Sequence, residues 1–167
     1  MDASQVPVSG QYPFLQPVAQ IHAPNAKRDA LPHRRKSLTQ KVKIAGKQSV
    51  YYTFGFYDLE RTRLGELFID VARVGTDVRE WVGNAARTIS VSIQHGVPLE
   101  PLLNQYIGSR CQPCGEVSGH PFIIYCTSIM DLIARDMAVT FLHRVEFADH
   151  MCEDCMRVFR VATTQEV

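Results

Sequence analysis

Two cysteine pairs of identical spacing, Cys111-Gln-Pro-Cys114 and Cys152-Glu-Asp-Cys155, constrain this chain more than any other feature. Between them lie 37 residues, which include a run of helical apolar period from about Thr127 to Glu146. Two thiolates separated by two residues wrap one side of a tetrahedral metal, and two such pairs complete its shell. Zinc suits four thiolates in a closed structural site. An iron–sulfur cluster uses the same ligands, and ligand identity does not separate the two. The spacing also suits a dithiol that cycles with a disulfide. Two unrelated pairs are the plainest alternative. A helix of about 20 residues is ~30 Å long, and an extended 12-residue linker, 115–126, reaches ~40 Å. The first pair can therefore double back to the far end of the helix. Geometry permits a metal site of Cys111, Cys114, Cys152 and Cys155 without imposing one. His120, His143 and His150 lie close enough in sequence to replace one cysteine, although each reads more simply as an ordinary histidine. The fifth cysteine, Cys126, reads as a small buried apolar side chain.

A chain of 167 residues, 46% hydrophobic and 21% charged, predicts one globular domain and a tail. No apolar run is long enough for a membrane span. The first residues lack a basic segment followed by an apolar one, so the chain reads as cytoplasmic. Cysteines in a reducing compartment serve metal or redox chemistry more often than structural disulfides. Charge is uneven. Residues 1–43 carry Lys27, Arg28, Arg34, Arg35, Lys36, Lys41 and Lys43 against Asp2 and Asp29, a balance of +5, while the remainder is −4. Such a basic stretch points to phosphates or an acidic partner, and a solvated linker is its bland counterpart.

Residues 1–30 hold four prolines and no clean period, which predicts a disordered tail. A domain over 31–146 and a C-terminal segment over 147–167 follow. Lys41-Val-Lys-Ile alternates polar and apolar, Ser49 to Tyr57 is rich in aromatic and β-branched residues, and Leu64 to Val71 makes a third strand. Gly55 inside the second strand marks a bulge or a close backbone approach. Glu66 and Asp70 share a face of the third strand, as a solvated pair or as candidate ligands. A helix begins at Thr76-Asp77, with Val78, Trp81, Val82, Ala85, Ile89 and Ile93 as its apolar face and Gly96 as its stop. Pro98 opens a short helix, and a loop over Ser109 to Pro121 carries the first cysteine pair. A third helix starts near Thr127 or Ser128, with Asp131 as capping partner and Ile129, Leu132, Ile133, Met137 and Phe141 inward. Asp131 and Asp136 do not share a face neatly. The predicted architecture is α+β: a three-stranded antiparallel meander followed by about three helices.

Several stretches read together: Leu31-Pro-His-Arg-Arg, Thr39-Gln-Lys-Val-Lys-Ile, Arg63-Leu-Gly-Glu-Leu-Phe-Ile-Asp, Gln94-His-Gly-Val-Pro-Leu-Glu, and Cys126-Thr-Ser-Ile-Met-Asp-Leu-Ile-Ala-Arg-Asp-Met-Ala-Val. In this order they resemble the TSCPD domain over roughly residues 31–144. That domain occurs near the C-terminus of adenosylcobalamin-dependent (class II) ribonucleotide reductases and as small stand-alone proteins. The resemblance implies a link to deoxyribonucleotide synthesis. It does not imply a reductase, because 167 residues cannot hold the catalytic barrel with its buried cysteines and cobalamin site. The Thr-Ser-Cys-Pro-Asp string is absent, so no family role transfers to either cysteine pair.

Other chemistry is sparse: no Gly-x-Gly-x-x-Gly, no Walker A string and no His-Glu-x-x-His. Three functional readings follow. The first is a non-catalytic regulatory or interaction module held by a four-cysteine site, with a reductase or a replication or topology enzyme such as topoisomerase IV as its partner. The second is an accessory subunit of a split ribonucleotide reductase, relaying electrons through its dithiols. The third is a nucleic-acid module that uses the basic residues and stacks bases on Tyr51, Tyr52, Phe54 or Phe56.

Overall fold

The computed structural model describes residues 27–59, 63–72 and 76–150. The three predicted strands are β1 (Ser37–Ile44), β2 (Gln48–Phe56) and β3 (Leu64–Val71), paired antiparallel in sequence order. Ala45 and Gly46 both take left-handed conformations between β1 and β2, and Lys47 N donates to Ile44 O at 3.1 Å. Glycine adopts that conformation without steric cost. The register slips at Gly55/Phe56, the expected bulge. Gly55 also faces Glu66 so closely that a Cβ there would collide with the Glu66 side chain.

The sheet is larger than the predicted meander. Two further strands, β4 (Gly115–Ser118) and β5 (Tyr125–Cys126), extend it in the order β3-β2-β1-β4-β5, which makes β1 the central strand. They fall in and just after the stretch expected as a loop. Four and two residues are too short to display a strand period. Lys43 and Ile44 pair with Ser118 and Val117, while Gly115 and Glu116 pair with Cys126 and Tyr125.

Helix α1 (Thr76–Gln94) lies along β3. Ser90 Oγ accepts from Leu67 N at 2.9 Å, and Gln94 Nε2 donates to Gly65 O at 2.8 Å. The helix thus satisfies backbone groups of an edge strand, which blocks pairing with another chain. Val82, Ala86 and Ile89 face the core, while Trp81 stays half exposed at 51%. The helix stops where expected, with Gly96 at φ 79°. A short helix α2 (Leu99–Leu103) buries Leu103.

Helix α3 (Ile129–Leu142) is the centre of the fold. The Ser128 side chain accepts from Asp131 N at 2.9 Å, and Asp131 accepts in turn from Thr127 N at 3.1 Å and Gly108 N at 2.7 Å. This satisfies donors at the helix start and fastens α2's exit to it. The helix ends on His143, left-handed at φ 54°, with Arg144 N reaching Ala138 O at 3.0 Å. Burial extends beyond the predicted face to Met130, Asp131, Ala134, Asp136, Ala138 and Val139. A helix buried nearly all round belongs inside a domain. Its buried side chains share one core with Val42, Ile44, Val50, Tyr52, Phe54, Phe56, Leu67 and Val71 of the sheet, and Phe141 meets Phe54 and Phe56 edge-on.

Residues 28 and 29, expected in the tail, are tied to the domain: Arg28 Nε donates to Gln94 Oε1 at 2.6 Å and Asp29 N to Gln94 O at 2.9 Å. No helix among the described residues is long and apolar enough to cross a membrane.

Candidate cysteine site

The first cysteine pair sits on the loop between α2 and β4, and the loop is bound to the start of α3. Cys111 N donates to Thr127 O at 3.1 Å, Thr127 Oγ1 donates to Ser109 O at 2.8 Å, and the Ser109 and Ser128 hydroxyls lie 2.8 Å apart. The Gln112–Pro113 peptide is cis, and Gly115 at φ 134° turns the chain into β4. Cys111 is exposed and Cys114 half-buried. Both line an open depression of about 570 Å³ with Arg110, Gln112, Tyr125 and Thr127. Gln112 Nε2 donates to Cys114 Sγ at 3.3 Å. Two cysteines spaced by two residues are a pair able to contribute two thiolates to a tetrahedral metal.

Among the described residues, no group of three or more His, Cys, Asp or Glu side chains is gathered to hold a metal. Cys152 and Cys155 lie outside the described residues. Cys126 is fully buried across the sheet from Gly115, and burial pushes its thiol up to about 11, which keeps it protonated and unreactive. This matches its reading as a core residue. His143 caps α3, and His120 is buried in a network described below.

The chain returns to this depression from its other end. Asp149 N donates to Phe122 O at 2.9 Å and His150 N to the same oxygen at 3.2 Å. Asp149 Oδ2 accepts from Ile124 N at 3.0 Å and Tyr125 N at 3.2 Å, and Oδ1 pairs with Arg135. Arg135 also donates to Tyr125 O at 2.9 Å. Burial opposes ionisation of Asp149, but these hydrogen bonds together outweigh it and hold the carboxyl below its usual range. The pair also closes the β5 edge of the sheet with side chains. Tyr125, where this anchor attaches, lines the cysteine depression.

The basic residues do not form one patch. Arg35 pairs with Glu66 and donates to Pro32 O at 3.0 Å, and Arg28 is bound to Gln94. Lys27, Arg34 and Lys36 are exposed ahead of β1. Lys41 and Lys43 project from the outer face of β1, with Lys41 Nζ 5.3 Å from the Tyr51 ring centre. Glu66 and Asp70 share the outer face of β3, as expected, and each has an arginine: Asp70 lies 3.0 Å from Arg79. Of the four aromatics considered for stacking, Tyr52, Phe54 and Phe56 are buried and Tyr51 alone faces outward.

Sequence reasoning missed a buried polar network. Tyr52 Oη donates to Asp136 Oδ2 at 2.6 Å, Thr140 donates to Oδ1 at 2.9 Å, and His120 Nε2 lies 3.4 Å from Oδ2. His120 Nδ1 accepts from Ile123 N at 3.0 Å and Phe122 N at 3.3 Å, so the proton sits on Nε2 and points to Asp136. The available signal was Asp136 itself, an acid within an apolar helical run.

The profile of the TSCPD domain family matches residues 22–140, and the chain belongs to that family. It is 39% identical over 121 residues to a vitamin B12-dependent ribonucleotide reductase of Bradyrhizobium diazoefficiens, covering 72% of this chain and 9% of that protein. The corresponding protein of Agrobacterium fabrum is 37% identical over 121 residues, again 72% of this chain and 9% of the relative. That of Rhodopirellula baltica is 35% identical over 116 residues, 70% of this chain and 11% of the relative. The chain thus spans about a tenth of the length of these curated relatives. No solved structure matches it.

Proposed function

We propose that this chain is a non-catalytic interaction module of deoxyribonucleotide synthesis, in which Cys111, Cys114, Cys152 and Cys155 clasp one zinc ion. The observation that carries this reading is the anchor at Asp149. It brings the chain to the rim of the depression holding Cys111 and Cys114. Cys152 follows His150 by two residues and Cys155 by five, spans of at most ~7 and ~18 Å at ~3.6 Å per residue. These spans limit how far either thiol lies from the anchored chain at His150. Zinc would lock the C-terminal segment against the loop and add to fold stability, as closed structural sites do. The partner that the family favours is a reductase-type catalytic chain. A replication or topology enzyme is a further candidate, to be separated from it by pull-down.

Elemental analysis and absorption of anaerobically purified protein test the clasp. The expected result is a colourless protein with one zinc, lost together with thermal stability in C111S and C152S. Trp81, the single tryptophan, shares a small crevice with Cys111 and Gln112, so its emission should shift on metal removal. A brown protein would replace zinc by an iron–sulfur cluster. Metal content and melting unchanged by both substitutions would reject the clasp.

The exposure of Cys111 favours one second reading, a dithiol relay for a split reductase. It requires metal-free protein whose cysteine pairs cycle with a thioredoxin-like donor.

A further inference from the structure

The outer face of the β1–β3 sheet carries the most unexplained chemistry on the molecule. Side chains alternate along strands, so cross-strand register assigns each one to a face. Lys41, Tyr51 and Asp70 form one outward row, and Thr39, Thr53 and Phe68 form the next. Phe68 is 54% exposed and Tyr51 36%, although most large aromatics of the sheet are in the core. Lys41 Nζ lies over one face of the Tyr51 ring, and Phe68 borders a groove with Arg79, Gly83 and Arg87 of α1. The two rings lie on adjacent strands in adjacent rows, a diagonal separation of ~7–8 Å between backbones. Lys41 and Lys43 flank them on β1, ~6.7 Å apart at two residues' rise.

Both acids on the outer face of β3 are paired. Asp70 is held by Arg79 and Glu66 by Arg35. No described partner engages Lys43, and Lys41 lies over Tyr51. The space between lysines and rings is polar: the Thr39 and Thr53 hydroxyls bond each other at 2.9 Å. A protein-docking surface needs an apolar centre for its anchors, and this face has two separated rings in a polar field. Partly exposed rings beside lysines that no described acid pairs suit a single-stranded polynucleotide. Its bases stack on the rings and its phosphates meet the lysines. A duplex hides its base faces in the stack, and a broad sheet face does not enter its grooves.

We propose that the outer face of β1–β3 binds single-stranded nucleic acid, with Tyr51 and Phe68 as stacking platforms and Lys41 and Lys43 as phosphate contacts. This site is separate from the cysteine depression and stands whether or not the cysteines hold a metal.

Fluorescence anisotropy of the full chain with labelled oligo-dT and oligo-rU of about 12 nucleotides tests it. Binding is expected at 50 mM salt, weakening about sevenfold by 200 mM, the slope for two phosphate contacts on a single strand. Y51A and F68A should each weaken binding about fivefold or more, as loss of one stacked base does. F68Y should retain it, because the ring remains. K41E/K43E should weaken binding and flatten the salt dependence. Both rings are on the surface, so unchanged melting separates lost binding from lost fold. Preference for rU over dT would assign the site to RNA, and the reverse to DNA. No binding at 50 mM salt, equal affinity for duplex, or binding indifferent to Y51A and F68A would each overturn the proposal.

Discussion

Tyr52 and Asp136, 84 residues apart in sequence, are joined by a 2.6 Å hydrogen bond inside the core. The phenol belongs to the middle of β2 and the carboxylate to the centre of α3, so the bond fixes the buried helix to the sheet. Burial, with the Asp136 charge beside it, raises the phenol's ionisation well above its ordinary range and keeps it a donor. Asp136 also receives Thr140, and His120 Nε2 approaches it at 3.4 Å. Every described buried side-chain polar atom has a partner. Removing one member therefore strands the others without solvent.

The first prediction concerns this network. Tyr52→Phe should cost about 1–3 kcal/mol, because it leaves a buried carboxylate with one donor fewer. Asp136→Ala should cost about 3 kcal/mol or more, because it orphans three donors and opens a cavity. Urea denaturation of both and of the double variant should show a coupling of at least about 0.5 kcal/mol. Strict additivity would mean that the bond contributes no stability of its own.

Asp149 predicts an acid-sensitive anchor. Its folded pKa lies below its unfolded one, so its contribution is present above the unfolded carboxylate pKa and is lost as pH falls through the folded value. Hydrogen exchange at Ile124 and Tyr125, the amides that Asp149 accepts from, should accelerate in acid before the core amides do. Asp149→Asn should remove that pH dependence. An unchanged acid profile in the variant would assign the effect to other groups.

Thiol reactivity should split by burial. At about pH 8, iodoacetamide should modify exposed Cys111 and half-buried Cys114 of metal-stripped native protein and spare Cys126 until the chain unfolds. The folded Cys126 pKa is raised, so its linked stability is full below the unfolded value and is lost as pH climbs towards 11. Peptide mass mapping of native and urea-treated samples reads the first point, and melting against alkaline pH the second. Early labelling of Cys126 would contradict its place in the core.

Gly55 predicts a steric limit. A Cβ at this position would meet the Glu66 side chain, which is nearly buried and held by Arg35. Gly55→Ala should destabilise by about 1–3 kcal/mol, the range for overpacking. Pairing it with Glu66→Ala should recover part of the loss in thermal melts. No effect of Gly55→Ala would mean that β2 and β3 shift apart at little cost.

Much of the fold is written locally. Alternation along 41–44, aromatic and β-branched residues along 49–57 and the apolar run 64–71 predict β1 to β3, the Ser128 cap fixes the start of α3, and Gly96 ends α1. These signals involve a few adjacent residues, and the same sterics and hydrogen bonds act in any context. The order of the motifs also carries the family.

What tertiary structure alone decided are the relations between distant segments. Strand β4 exists because β1 offers it an edge, and β5 because β4 does, since neither is long enough to declare itself. Period 2 separates Tyr51 from Tyr52, Phe54 and Phe56, but only the seat of α3 decides which side is the core. That choice leaves Tyr51 and Phe68 in solvent beside Lys41 and Lys43. It also buries Asp136 against Tyr52 and brings Asp149 to Tyr125, beside Cys111 and Cys114. The identical spacing of the two cysteine pairs is legible in the sequence. The approach of the chain's far end to the first pair depends on how α3 packs, and no local pattern encodes that.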